Sequence, residues 1–227
     1  NYDRGRKFVV DAMDDEETAG IAFGKLSSEF IRTKVVPEMD AFRFATYAAL
    51  DGIGSATGTL ATGADVIAAL RAAANEMDEA EVPAEQRVLF ITPTLRGMID
   101  DLDTSKSKEV LAKFSSVVEV PQSRFNTEIN LLDGTTEGEE VGGFEATGND
   151  INFMVVHTPA ILQYPKHTVN KIISPEANQD SDGWMFFYRA YGLADAYENK
   201  TAGIYVHSKA SVDEDAGGDT GEDAGGE

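Results

Sequence analysis

The stretch DRGRKFVVDAMDDEETAGIAFGKLSSEFIRTKVVPEMDAFRFATYAA, residues 3–49, decides how this chain folds. It opens with a bipolar ribbon. Arg4, Arg6 and Lys7 stand before the short apolar patch Phe8, Val9 and Val10, and Asp11, Asp14, Asp15, Glu16 and Glu17 follow it. No apolar element precedes the patch for it to pack against. Beyond the ribbon, Ile21, Leu26, Phe30, Val35, Met39, Phe42 and Phe44 recur at mostly helical spacing. That pattern predicts a long helix with one apolar face. Thr18 is its candidate N-cap and Gly52 its stop. Pro37 removes one backbone donor inside the pattern, which predicts a kink or a split there.

Working outward, DGIGSATGTLATG (51–63) reads as a flexible connector between two lobes. Its glycines have neither the dinucleotide-binding spacing nor a P-loop lysine. GADVIAALRAAANEMDEAEVP (63–83) is a second helix, with Val66, Ile67, Leu70 and Met77 on its buried side. QRVLFITP (86–93) is a short buried strand. Thr92 then caps a helix that has Pro93 at its first position. Helix, strand, helix in this order indicates an α/β lobe. A short helix at 107–116 comes next, then strand candidates at 117–121 and 127–132. The segment 133–150 is an acidic, Gly-rich loop or hairpin. Further strands are expected at 151–162 and 167–175. Residues 183–209 read as two long strands paired with each other. The tail SVDEDAGGDTGEDAGGE (211–227) has seven acidic residues and Val212 as its one larger apolar residue. Such a composition does not form a core.

Composition narrows the function. In 227 residues, 40 acidic against 19 basic side chains give a net charge of −21. A surface of that sign does not grip phosphate backbones, although DNA can slide past it. High negative charge also serves solubility alone. Zero Cys excludes disulfides, thiol nucleophiles and cysteine metal clusters. No apolar run approaches the roughly 20 residues that span a bilayer.

No catalytic, cofactor-binding or metal-ligating set emerges from the chain. His157, His167 and His207 lack the i, i+4 partner of helical metal sites and read as polar or surface residues. No serine lies in a nucleophile elbow. Asp14–Asp15 and Asp100–Asp101 are too common a pattern to mark an acid/base pair, and Asp100–Asp101 read as a helix end. NQDSDG (178–183) carries half a calcium loop without its closing Glu, so it reads as a turn. An acidic α/β enzyme using scattered carboxylates and a divalent metal stays as a minor alternative.

A charged arm, a long helix, an α/β lobe and a terminal β segment, without chemistry, describe a building block. The same segments resemble the major capsid proteins of tailed bacteriophages, which share the Hong Kong 97 fold. Residues 3–49 resemble the extended E-loop and spine helix of that family, VLFITPTLRGMIDD a strand and helix of its axial domain, and 151–207 its C-terminal stretch. The resemblance implies an α+β fold. An E-loop-like arm, outside its own subunit's core and gripping an adjacent copy, would occupy 1–18 and the spine helix of the peripheral domain 19–52. An axial domain would occupy 53–160, a β-rich return 161–209 and an acidic tail 210–227.

By the same resemblance, Arg4, Arg6, Lys7, Phe8, Asp11, Asp14, Asp15, Glu16 and Glu17 would contact neighbouring subunits, and Pro37 would kink the spine helix. Part of the E-loop and a scaffolding segment would precede residue 1. The implied function is a non-enzymatic shell of hexamers and pentamers around double-stranded DNA. Scaffolding and portal proteins would be partners, and the packaged DNA would be contacted weakly. Assembly would occur in the host cytoplasm, without a membrane or cofactor, and the product would be the virion. The tail would line the lumen, decorate the exterior or link to an appended domain. An encapsulin-like nanocompartment shell is the alternative on the same fold. In one branch of the family an E-loop Lys bonds covalently to a neighbour's Asn; Lys7, Asn170 and Asn199 are present, but no motif pairs them.

Overall fold

A computed structural model of the chain describes residues 1–11, 13, 22–102 and 104–209. Thr18, Ile21, the run Asp14, Asp15, Glu16 and Glu17, and the tail 210–227 lie outside the described residues.

The predicted long helix runs as α1 (Ala22–Phe30), a π-helical turn (Ile31–Val35) and α2 (Val36–Ala48). It does not split at Pro37. A proline in an α-helix leaves the carbonyl four residues back without a donor and presses its ring against it. Here the turn just before Pro37 widens, and the Val36 N–H donates to Ile31 O, five residues back. A π-turn accommodates the ring without ending the helix. The helix stops at Ala48, and Gly52 serves the following turn with φ of 76°.

Two sheets flank this helix. The first is five-stranded, in the order β2-β10-β7-β3-β4, formed by β2 (Gly54–Thr57), β3 (Arg87–Ile91), β4 (Ser116–Glu119), β7 (Ile151–His157) and β10 (Ile204–Ser208). β7 is antiparallel to β3 and β10, while β2–β10 and β3–β4 are parallel. All seven residues of β7 are buried because both faces of the sheet are covered. On one face α3 (Gly63–Glu79), α4 (Pro93–Leu102) and α5 (Ser105–Leu111) bring Val66, Leu70, Met77 and Ile99 onto Leu89, Phe153, Val155 and Tyr205. On the other face Phe44 and Tyr47 of α2 meet Phe125, Met154, Val156, Ile204 and Val206. Fully burying each such side chain contributes about 1.5–3 kcal/mol.

The second sheet is three-stranded and antiparallel, in the order β1-β9-β8, formed by β1 (Tyr2–Asp11), β8 (Ile161–Ile173) and β9 (Gly183–Ala196). Its inner face lies on α1 and α2, where Tyr2, Phe186, Tyr188 and Ala190 pack with Phe30, Val35, Met39 and Phe42. Between the sheets, β5 (Ile129–Leu132) and β6 (Gly143–Ala146) form the hairpin expected over 133–150.

Several expectations are corrected. The two strands of 183–209 do not pair with each other: β9 joins β1 and β8, and β10 joins β2 and β7. The Gly-rich connector contains β2. Gly54 is required there, since a Cβ at this position would lie 2.5 Å from Tyr205 Cδ2. The strands expected at 151–162 and 167–175 divide elsewhere. β7 ends at His157, and β8 runs unbroken through Pro165 by a register shift between Pro165 and His167. The short helix occupies 105–111 rather than 107–116, because Thr104 and Ser107 form its capping box.

Candidate assembly surface

β1 overturns the expectation of an arm without a core. Its alternation places Tyr2, Arg4, Arg6, Phe8 and Val10 on one face and Asp3, Gly5, Lys7, Val9 and Asp11 on the other. The first face is directed at the protein's own helix. Tyr2 is 4% exposed, and Phe8 lies 4.8 Å, centroid to centroid, from Phe186. Full-length pairing with β9, from Tyr2↔Gly192 to Asp11↔Gly183, holds residues 2–11 inside their own subunit.

Arg4 accordingly finds its carboxylate at home. Its Nε donates to Glu38 Oε1 at 2.7 Å, and its Nη2 donates to the carbonyls of Leu132 (2.6 Å) and Gly143 (3.2 Å). The Tyr2 hydroxyl donates to the same Glu38 oxygen at 3.0 Å. One half-buried node therefore ties β1, α2 and the β5–β6 hairpin. Burial, and then the Glu38 charge, push the Tyr2 hydroxyl pKa upward. Sequence reasoning missed Tyr2 and Glu38. The signal available was Glu38 on the apolar stripe of the helix, one residue before Met39.

Among the described residues, no helix covers the outer face of the β1-β9-β8 sheet. Cross-strand partners share a face, so the register aligns Lys7, Phe187 and Lys171 in one row, then Gly5, Arg189 and Val169, then Asp3, Tyr191 and His167. Every residue from Leu162 to Lys171 and on to Ile172 is exposed. Tyr164 keeps 63% of its surface, and Ile172, although it shares the inner face with its partner Phe186, keeps 56%. Lys7 stands 5.5 Å from the centre of the Phe187 ring and Lys166 5.4 Å from that of Tyr191. Asp3 accepts two hydrogen bonds from Arg189, at 3.0 and 2.8 Å, which hold its pKa below the usual range. Lys7 pairs with Asp180 at 3.2 Å.

A groove of about 520 Å³ opens between β1, α1 and the hairpin, with Phe8, Leu26, Phe30 and Val141 among its walls. The remaining candidates of the ribbon, Arg6 and Asp11, are exposed, and Asp11 accepts the Met13 N–H at 2.9 Å.

The histidines divide. His167 is exposed on β8, but His157 and His207 are buried, contrary to the surface expectation. Asn152 Nδ2 donates to Gly58 O at 3.1 Å, which fixes its amide, and the same group lies 3.0 Å from His207 Nδ1. Nδ1 is therefore the acceptor. Burial pushes both His157 and His207 down. Asp40 is pushed up by burial, with Arg124 at 3.0 Å opposing the shift. Among the described residues, no group of three or more His, Asp or Glu is placed to hold a metal ion. No described helix is long and apolar enough to cross a membrane.

No protein-family model and no curated protein sequence matches this chain. Solved structures match by shape. A chain of Mycobacterium phage Che8 aligns at TM-score 0.60 and 15% identity, over 91% of this chain and 70% of that one. A virus-like particle from Pyrococcus furiosus aligns at TM-score 0.60 and 10% identity, over 91% and 76%. The capsid of cyanophage P-SCSP1u aligns at TM-score 0.57 and 14% identity, over 92% and 72%. The chain has the Hong Kong 97-type capsid fold. Within that Hong Kong 97-type fold, the outer face of the β1-β9-β8 sheet is left open by the described residues.

Proposed function

We propose that this protein forms a capsid shell, as the repeating subunit of hexamers and pentamers around double-stranded DNA. One observation carries the reading: a capsid-type fold whose three-stranded sheet is covered on one side only. A sheet with an uncovered aromatic and aliphatic face is a surface awaiting a partner, and closed assemblies reuse one such surface in every copy. On this reading the helix 22–48 is the spine of the peripheral domain and β1-β9-β8 its sheet. Residues 53–160 together with β10 make the axial domain. Arg6, Lys7, Asp11 and the acidic run 14–17 are the inter-subunit contacts of the ribbon, while Arg4 and Phe8 hold the subunit itself together. Scaffolding and portal proteins are the assembly partners, and the virion is the destination.

The chain matches the Pyrococcus furiosus virus-like particle as well as it matches the Che8 chain. That favours, as a second reading, a compartment shell around a protein cargo. Electron microscopy of the expressed full-length chain tests both. Closed particles support a shell, and their content of DNA or protein separates the two readings. A chain that stays monomeric under every assembly condition contradicts both.

A further inference from the structure

Charge is segregated along this molecule. The strands β1, β8 and β9 carry six of the chain's 19 Lys and Arg and only three of its 40 Asp and Glu. β8 alone has Lys166, His167 and Lys171 and no acidic residue. The tail 210–227 is the opposite: Asp213, Glu214, Asp215, Asp219, Glu222, Asp223 and Glu227, with no base. We propose that this acidic tail docks on the open outer face of the β1-β9-β8 sheet, centred on Lys166, His167 and Lys171. The inference goes beyond shell formation and stands whichever copy supplies the tail.

Three observations favour this occupant. First, the face offers ammonium groups that the described residues leave without a carboxylate partner. Asp3 engages Arg189 and Asp180 engages Lys7, but among the described residues no carboxylate pairs with Lys166 or Lys171. Second, the rest of the chain is strongly acidic, so this face is where a negatively charged segment meets the least repulsion. Third, reach is sufficient. The described chain ends at Lys209, held by Asp150 at 2.7 Å, and 18 further residues span up to about 60 Å when extended. Five glycines in that segment let it follow a flat, pleated surface. The contact would consist of several weak exposed ion pairs, individually small but additive along one segment, and it would loosen with salt.

Carbodiimide coupling of the full-length chain, followed by peptide mapping, tests the proposal. The reagent joins only carboxylates and amines already in contact. The expected product links tail carboxylates to Lys166 and Lys171. Its yield should fall about fivefold or more between 0.05 and 1 M salt, as the screening length shortens from about 14 Å to about 3 Å. In the full-length H167E/V169E variant, which keeps both amines but places negative charge between them, these links should fall about fivefold or more while the thermal unfolding midpoint stays put, since both substituted side chains are exposed. Tail links that fall mainly on Lys25, Lys106, Lys108 or Lys113 would overturn the proposal. So would links that persist in the variant. If the variant instead loses DNA retention with its tail links unchanged, the face serves nucleic acid and the docking claim is wrong. The linking outcomes do not depend on whether particles form.

Discussion

The two sheets of this protein were built under different rules. The five-stranded sheet is sandwiched: helices α3, α4 and α5 seal one face and α2 seals the other, so β7 is buried along its whole length. The three-stranded sheet has longer strands yet is covered on one face only, along β1 and β9, and β8 is exposed on both faces at nearly every position. A sheet covered on both sides is complete within one chain. A sheet covered on one side reaches completion through something outside the chain, and its sequence shows this by mixing Lys and Arg with Tyr, Val and Ile.

The largest predicted effect lies in the complete sheet. Phe153 is fully buried, and its ring stacks at 6.2 Å from Tyr205 and 5.0 Å from His207. Phe153→Ala should cost about 3–5 kcal/mol in denaturant unfolding, the usual range for an aromatic cavity. A loss below about 1 kcal/mol would remove the contrast between the sheets.

Glu38→Gln comes next, at the node that ties the open sheet to the helix. The substitution leaves Arg4 without its anion in a half-buried site and weakens the acceptor for Tyr2, a loss of about 1–3 kcal/mol. The β5–β6 hairpin should also exchange its amides faster, because Arg4 holds Leu132 O and Gly143 O.

A smaller effect depends on pH. Burial lowers His207 and His157 below the ordinary histidine value of 6.5. The unfolded chain then binds protons that the native state does not, so stability falls as pH drops from about 6.5 toward 5. The lowered carboxylates Asp3, Asp65 and Asp78 lose their contribution only at more acid pH. Unfolding midpoints between pH 7 and 5 should show the decline, and His207→Gln should make it shallower. A flat profile would place these histidines in contact with water.

Smallest of all, Val169→Ala on the open face should alter the stability of the isolated chain by less than about 0.5 kcal/mol. The same change should lower particle yield, which isolates assembly from folding.

Much of this contrast could be read in the sequence. Helix α3, strand β3 and helix α4 follow from short-range periodicity and caps, and their order announces the sandwiched body. The resemblance of 3–49 and 151–207 to capsid proteins supplied the fold. What escaped depends on partners distant in sequence. β10 and β9 are neighbours along the chain, but only the positions of β7 and β2 decide that β10 leaves for the other sheet. The role of β1 escaped for the same reason: its partner β9 lies some 180 positions away, so a strand with its own core read as a free arm. Glu38 and Tyr2 looked unremarkable singly and matter only because the fold brings them to Arg4. His157 and His207 were misplaced because a polar residue inside an apolar run carries no mark of which strand will cover it.

The central claim is that a neighbouring copy or segment completes the β1-β9-β8 sheet, and hydrogen exchange measured on the assembled and dissociated full-length protein tests it directly. The account predicts that amides of residues 161–173 gain protection on assembly while those of 151–157 stay equally slow in both states. Equal, fast exchange of 161–173 in both states would contradict it.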